Sequence, residues 1–326
     1  MKALYNRELS KTVGAREFTP SGSTLENVVV NGFLKRMGYG PDDKVLVTHI
    51  DDIGFCHAAN VASFECLDVG AATCGSILTA GPWFQEAADI CQRHPEYDVG
   101  VHLTLTCEYP HLRWPALSTR DPASGLLDEQ GYLWRTREDA IRNVDVEAAK
   151  TEMRMQIEVA LSADLEISHI DTHMGSVVHP KFLGSYLDLA NEYGVPAFLP
   201  NVTSERLREL NRIAQQDEYL AILEKIDADK VPTLDEILVD TLVPMDELGE
   251  DNKSNFYRRL IDGVQPGLTH LLFHPAKIGD ELLAIDKQRP DSRHADYLAF
   301  TDHSLKDYIE KAGIHMIGFR ELKKYV

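Results

Sequence analysis

Lys44-Val-Leu-Val-Thr-His-Ile-Asp-Asp-Ile-Gly54 is the stretch from which the fold can be read. Residues 44–50 form an almost continuous apolar run, and the run ends in two aspartates and a glycine. A strand with one wetted face alternates apolar and polar residues, whereas a strand buried on both faces does not. The segment therefore predicts an interior strand of a parallel sheet, with polar residues gathered at its C-terminal end.

Further strands are expected at Ser76–Ala80, Val99–Leu105, Ile167–Asp171, Val195–Leu199, Ile237–Thr241, Thr269–His274 and His315–Phe319. Helical patterns separate most of them. Val146, Ala149, Met153, Ile157 and Ala160 recur at helical spacing, and Leu183–Tyr193 reads as a helix stopped by Gly194. Residues 203–226 are also helical in pattern and charged on one side. Strand–helix alternation at this count predicts a parallel α/β fold, either closed into a barrel or doubly wound. Residues 1–43 read as an N-terminal extension with one helix near 24–37. Residues 44–326 read as one domain, with a polar helical insertion near 201–262 that is longer than one crossover needs.

The 326 residues carry 33 Lys plus Arg against 52 Asp plus Glu, a net charge of −19. Such a surface repels phosphate backbones and anionic lipid, which argues against nucleic-acid and membrane partners. The polar start, Met-Lys-Ala-Leu-Tyr-Asn-Arg-Glu-Leu-Ser, lacks the apolar segment of a signal peptide. Five cysteines (Cys56, Cys66, Cys74, Cys91 and Cys107) show no paired short spacing. Reduced thiols and a cytoplasmic location are expected. The expected partner is a small-molecule or oligosaccharide substrate, with a homodimer left open.

Four strand ends carry unusual polar residues. Asp51 and Asp52 end the first strand. Asp pairs are common as turns and helix caps, so the pair alone decides little. In Val99-Gly-Val-His-Leu-Thr-Leu-Thr106, His102 shares a face with Gly100, Thr104 and Thr106. In Ile167-Ser-His-Ile-Asp-Thr-His173, His169, Asp171 and His173 fall on one face. An i to i+4 span in a strand is about 13 Å, so His169 and His173 cannot both bind one ion unless the strand breaks. His270-Leu-Leu-Phe-His274-Pro275 places His270 and His274 on one face. Taken singly, His102, His270 and His274 are most simply hydrogen-bonded core residues, whereas three polar residues on one face of 167–173 argue against a mere solvated strand end. Together they put imidazoles and carboxylates at the C-terminal ends of four strands, where α/β barrels build active sites. Imidazoles plus a carboxylate suit a catalytic divalent ion, Zn²⁺ by default. Nucleotide-binding glycine loops and a Gly-x-Ser-x-Gly elbow are absent from the sequence. Trp83, Trp114 and Trp134 are candidates for stacking on sugar rings, although burial is the commoner fate of Trp.

The ordered set Thr48-His-Ile-Asp-Asp-Ile-Gly54, Gly100-Val-His-Leu-Thr-Leu-Thr106, Ser168-His-Ile-Asp-Thr-His173 and Phe273-His-Pro-Ala276 resembles the motifs of the YdjC-like carbohydrate deacetylases over roughly residues 44–320. The resemblance implies an irregular (β/α) barrel and a metal-dependent N-deacetylase using Zn²⁺ or Mg²⁺. It implies Asp52, His102 and His173 as metal ligands, Asp51 as general base and His274 as general acid. His169, Asp171, His270 and Arg293 are then expected to orient ligands or to bind substrate. The chain departs from the family pattern at His49, where Asn is usual, at Cys56 for Ser, and at Gly175 and Val177 for histidines. It departs again at His270 for Glu and Ala276 for Gly. These departures are expected to alter the rim of the site, so that N-acetylglucosamine and its short β-linked oligomers become poor substrates. Two other readings are a phosphoesterase on the same barrel and a non-catalytic metal-bearing binding protein.

Overall fold

The computed structural model describes residues 31–201, 216–227, 230–239, 245 and 252–326. Most of the expected extension (1–30) and part of the expected insertion (202–215, 228–229, 240–244 and 246–251) lie outside the described residues.

Seven strands are described: β1 Lys44–Ile53, β2 Cys74–Ile77, β3 Val99–Leu103, β4 Ile167–Thr172, β5 Glu236–Val239, β6 Gly267–Phe273 and β7 His315–Met316. They pair in parallel in the order β4-β3-β2-β1-β6-β5, with β7 also on β1. The opening run is the centre of this sheet. Residues 45–53 of β1 are all buried, because β6 lies along one side while β7 and β2 share the other. Helices cover the outer face, including His57–Val69, Phe84–Arg93, Val146–Ser162, Pro180–Tyr193 and Pro290–Phe300.

The expected strand at Val195–Leu199 appears as a bridging segment. Ile170 N donates to Pro196 O and Phe198 N to Ile170 O. On the other side Leu234 N donates to Leu199 O and Asn201 N to Leu234 O. The segment thus links β4 to the start of β5 and closes the ring into an irregular barrel. The stretch 201–262 is not helical throughout: its described parts are the helices Gln216–Leu223 and Lys253–Asp262 and strand β5 between them. From the extension, Asn31 caps a short helix, Gly32–Arg36, and its amide donates to Asp235 Oδ2 at 2.9 Å.

The last expected strand is shortened to two residues, and Phe319 opens the helix Phe319–Lys323 instead. Its buried ring stacks on His169 with centroids 4.0 Å apart. This plugs the barrel beneath the strand-end residues. No described helix is long and apolar enough to cross a membrane.

Gly100 is required where β3 passes His169. A Cβ there would lie 2.5 Å from His169 Nδ1 and 2.6 Å from its carbonyl oxygen. Gly100→Ala should therefore destabilise the fold by about 1–3 kcal/mol through overpacking. Urea unfolding would show a lower midpoint; an unchanged midpoint would mean that His169 is free to move.

Candidate functional site

β1 does not run straight through its two aspartates. Its pairing with β2 shifts between Ile50 and Ile53, and Asp52 takes a left-handed backbone with φ 66°. That conformation costs an L-residue about 1–2 kcal/mol, and Asp tolerates it better than most. The twist defeats the alternation of a strand, so both carboxylates reach the same end of the barrel.

Asp52 Oδ1 lies 3.0 Å from His173 Nδ1 and 3.4 Å from His102 Nε2. It is buried, and these two imidazoles are what faces it. Asp52 Oδ2 accepts from Arg293 NH2 at 3.0 Å. Burial alone would raise this carboxyl. The two imidazoles and the Arg293 charge overcome burial and hold it well below the ordinary range.

Each imidazole is turned by a carboxylate of its own. His102 Nδ1 meets Asp171 Oδ1 at 2.8 Å, and Asp171 Oδ2 accepts from Ser76 Oγ at 2.8 Å. His173 Nε2 meets Glu108 Oε2 at 2.9 Å. A carboxylate takes the N–H, so in the neutral rings His102 Nε2 and His173 Nδ1 are the nitrogens that keep lone pairs, turned towards Asp52. β4 ends at Thr172, and His173 opens a tight turn in which Met174 is left-handed at φ 56°. The strand therefore breaks where it must, and His173 leaves the line of His169. Burial disfavours a charge on His173, yet Glu108 and Asp52 outweigh it and raise its pKa to about 9. Asp171 and Asp52 likewise outweigh burial at His102 and raise it well above the usual value.

Three ligand-type atoms thus converge, one from each of Asp52, His102 and His173. His102 Nε2 and His173 Nδ1 are 3.2 Å apart. Zinc–nitrogen bonds of about 2.0–2.1 Å at a tetrahedral angle would separate two ligand nitrogens by about 3.4 Å. The donor set, its spacing and the Asp52 oxygen that faces both imidazoles fit a divalent cation.

Asp51 faces a different set of groups. Its Oδ1 is 2.8 Å from His49 Nδ1, and its Oδ2 is 3.7 Å from His274 Nε2. Beneath it, His49 Nε2 and His169 Nε2 are 2.8 Å apart. His49, His169 and Asp171 also lie close enough to be considered as ligands. The 2.8 Å separation is a hydrogen-bond length, shorter than two nitrogens on one ion require. The His49 and His270 rings lie 4.9 Å apart at 35°, closer to face-on than edge-on.

His49 is 0% exposed and His270 is 1% exposed. The expectation that they reshape the rim is therefore not met. Both side chains lie in the barrel interior, with the His169 and Phe319 rings around them. Arg293 also sits beneath the site: it is 2% exposed and held by Asp52, Tyr109 and Asp286. Cys56 begins the helix His57–Val69 without a side-chain cap, and Glu281 accepts from His57 N and Ala58 N in its place. Of the three tryptophans, Trp114 is buried and Trp83 is 37% exposed. Glu108 escaped the sequence reading. It lies on an irregular segment with no periodicity, and its one signal is that it follows the β3 motif by two residues.

A family model described as YdjC-like protein matches residues 45–311. The carbohydrate deacetylase of Thermus thermophilus is 30% identical over 301 residues, which cover 89% of this chain and 98% of that protein. The carbohydrate deacetylase of Thermoanaerobacter pseudethanolicus is 25% identical over 280 residues, covering 86% of this chain and all of that one. A crystal structure of an Enterococcus faecalis protein, provisionally named a cellobiose-phosphate cleavage protein, superposes with a TM-score of 0.67 at 24% identity. It covers 86% of this chain and 99% of that one, and it shows the shared fold.

The raised imidazoles give a pH dependence with a definite sign. In a chelating buffer, stabilisation from His173 is complete below the unfolded pKa of about 6.5 and is lost as pH rises through about 9. His102 acts in the same direction. At about 1.4 kcal/mol per pKa unit, His173 alone supplies on the order of 3–4 kcal/mol. Urea unfolding with chelator at pH 6 and pH 9.5 should show that loss, and Glu108→Gln should shrink it. A flat profile in the parent protein would rule out the Glu108–His173–Asp52 contact as drawn.

Proposed function

The chain belongs to the YdjC-like family, and from that premise we propose that it is a metal-dependent N-deacetylase that releases acetate from an N-acetylated sugar or a related amide. The observation that carries this reading is the meeting of Asp52 Oδ1, His102 Nε2 and His173 Nδ1, with Asp51 and His274 beside them. The curated relatives are named carbohydrate deacetylases, which supports the substrate class.

Asp52, His102 and His173 would hold the cation. Two imidazoles and one carboxylate suit Zn²⁺ or a similar borderline ion better than Mg²⁺, which prefers oxygen. Such an ion supplies Lewis-acid polarisation of a carbonyl and a lowered pKa for water.

The protein's own groups divide the proton work. Asp51 Oδ2 takes the proton of the attacking water, while its Oδ1 is held from below. His274 Nε2, on the other side of Asp51 Oδ2, gives a proton to the leaving amine. An imidazole suits that task because it changes charge near neutrality. Asp171 and Glu108 keep the two ligand imidazoles in one tautomer and one orientation. Arg293 occupies the second oxygen of Asp52, so that oxygen is not offered to the ion.

The test is release of acetate by the zinc-loaded protein from N-acetylglucosamine, its β-linked dimer and other N-acetyl sugars. Phosphate release from model esters is run beside it. Acetate without phosphate supports the proposal; phosphate without acetate favours a phosphoesterase; neither favours a binding protein.

His173→Ala should lose the ion and remain folded, although less stable below about pH 9 by the few kcal/mol that the charged imidazole supplies. Elemental analysis with circular dichroism checks both. Asp51→Asn should retain the ion and lose about 10²–10⁴-fold in rate. Near-full activity in that variant would remove Asp51 from the role of base.

A further inference from the structure

Asp51 has one hydrogen-bond partner for its carboxylate among the described residues, and that partner is His49. The two side chains lie two residues apart on β1 and so share a face. His49 is fully buried and is itself fixed. Its Nε2 lies 2.8 Å from His169 Nε2, and His169 Nδ1 lies 2.8 Å from Ser168 Oγ. Ser168 Oγ in turn reaches Val99 O at 3.0 Å. Phe319 stacks on His169 and meets the His49 ring edge-on at 5.9 Å.

The proton accounting along this row has two solutions. Ser168 can give its hydrogen to Val99 O, so that His169 donates from Nδ1 and accepts at Nε2. Alternatively it gives its hydrogen to His169, which then donates from Nε2. In both, an N–H at His49 Nδ1 faces Asp51 Oδ1: in the first His49 carries hydrogens on both ring nitrogens, and in the second on Nδ1 alone, because a carboxylate oxygen accepts. The row therefore aims a donor at Asp51 whichever tautomer His169 adopts.

We propose that His49 is a positioning residue for Asp51, holding Oδ1 by its Nδ1–H so that Oδ2 stays turned towards His274 and the reacting water. This rests on the deacetylase reading for its effect on rate, but the contact can be tested without it. A base held by one directional bond loses its aim when that bond goes, and a displacement of about 1 Å can cost about 10²-fold.

Two substitutions separate positioning from bulk packing. The amide nitrogen of Asn occupies the place of His Nδ1, and that of Gln the place of Nε2. His49→Asn keeps a donor for Asp51 and gives up His169; His49→Gln does the reverse. With zinc content and unfolding midpoints measured for both, His49→Gln should lose about 10²-fold in kcat on the best N-acetyl sugar of the panel, with KM little changed. His49→Asn should stay within about tenfold of the parent. Equal losses in both variants, or a larger loss in His49→Asn, would overturn the proposal.

The second readout needs no turnover. In protein with ¹⁵N-labelled histidines, the His49 Nδ1–H should appear as a downfield, slowly exchanging proton. Asp51→Asn should shift that resonance strongly. If the parent protein lacks the resonance, or if it ignores Asp51→Asn, His49 does not hold Asp51. If the parent releases no acetate but the resonance behaves as described, the deacetylase reading fails and the contact stands.

Discussion

Two imidazole nitrogens aimed at one carboxylate oxygen, all three side chains buried, is the arrangement on which the rest of this barrel depends. With neutral rings and no ion it would spring apart, since lone pairs repel and a buried oxygen without a donor is costly. It persists because each imidazole is gripped from behind. Asp171 takes His102 Nδ1 and Glu108 takes His173 Nε2. Arg293 takes the far oxygen of Asp52. Those grips fix the direction of every group that faces the site, and the left-handed turn at Asp52 brings its carboxylate to them.

The grips are held by the wall in turn. Glu108 and Tyr109 sit on the irregular segment after β3. Buried Glu152 pins that segment by accepting from Leu117 N, Ser118 N and Ser118 Oγ. One helical turn on, Gln156 accepts from Thr104 N and donates to Thr104 O. A carboxylate that receives several N–H and O–H bonds is satisfied without a cation partner. So a helix on the outside of the barrel orients a carboxylate inside it, through main-chain bonds rather than through apolar packing alone. Asp296 plays a similar part for the last motif, accepting from His274 N at 3.3 Å.

Much of this was legible because strand periodicity and strand-end chemistry are local properties. The run at 44–50 gave away a two-sided buried strand, and the face shared by His169, Asp171 and His173 showed that at most one of the two histidines could bind an ion directly on a straight strand. The rest depends on long-range geometry. Nothing in the letters Asp51-Asp52 announces that the second takes φ 66°, although Asp is one of the few residues that can. The Val195–Leu199 run looked like a strand, and the chain uses it as a bridge between β4 and β5. Glu108 and Glu152 lie on a loop and a helix with no shared pattern, and the fold alone brings them to the same segment. His49 and His270 were read as rim residues because they stand in strand-end motifs. Only their depth shows that they belong to the interior.

The charge balance of the site explains why protons and a cation are interchangeable there. Asp51, Asp52, Glu108, Asp171 and Asp286 bring five carboxylates to one contact network, and Arg293 is the permanent cation among them. Carboxylates crowded this closely, most of them buried, cannot all carry charge against one positive group without further compensation. The available compensators are imidazoles that accept protons and a divalent ion that replaces those protons. This is why Glu108 and Asp52 hold His173 protonated up to about pH 9 when no ion competes. It also follows that the ion must displace a proton to enter, so its affinity falls as pH falls. The same carboxylates that raise the imidazoles also attract the ion, and the site therefore trades one charge for the other without rearranging its walls.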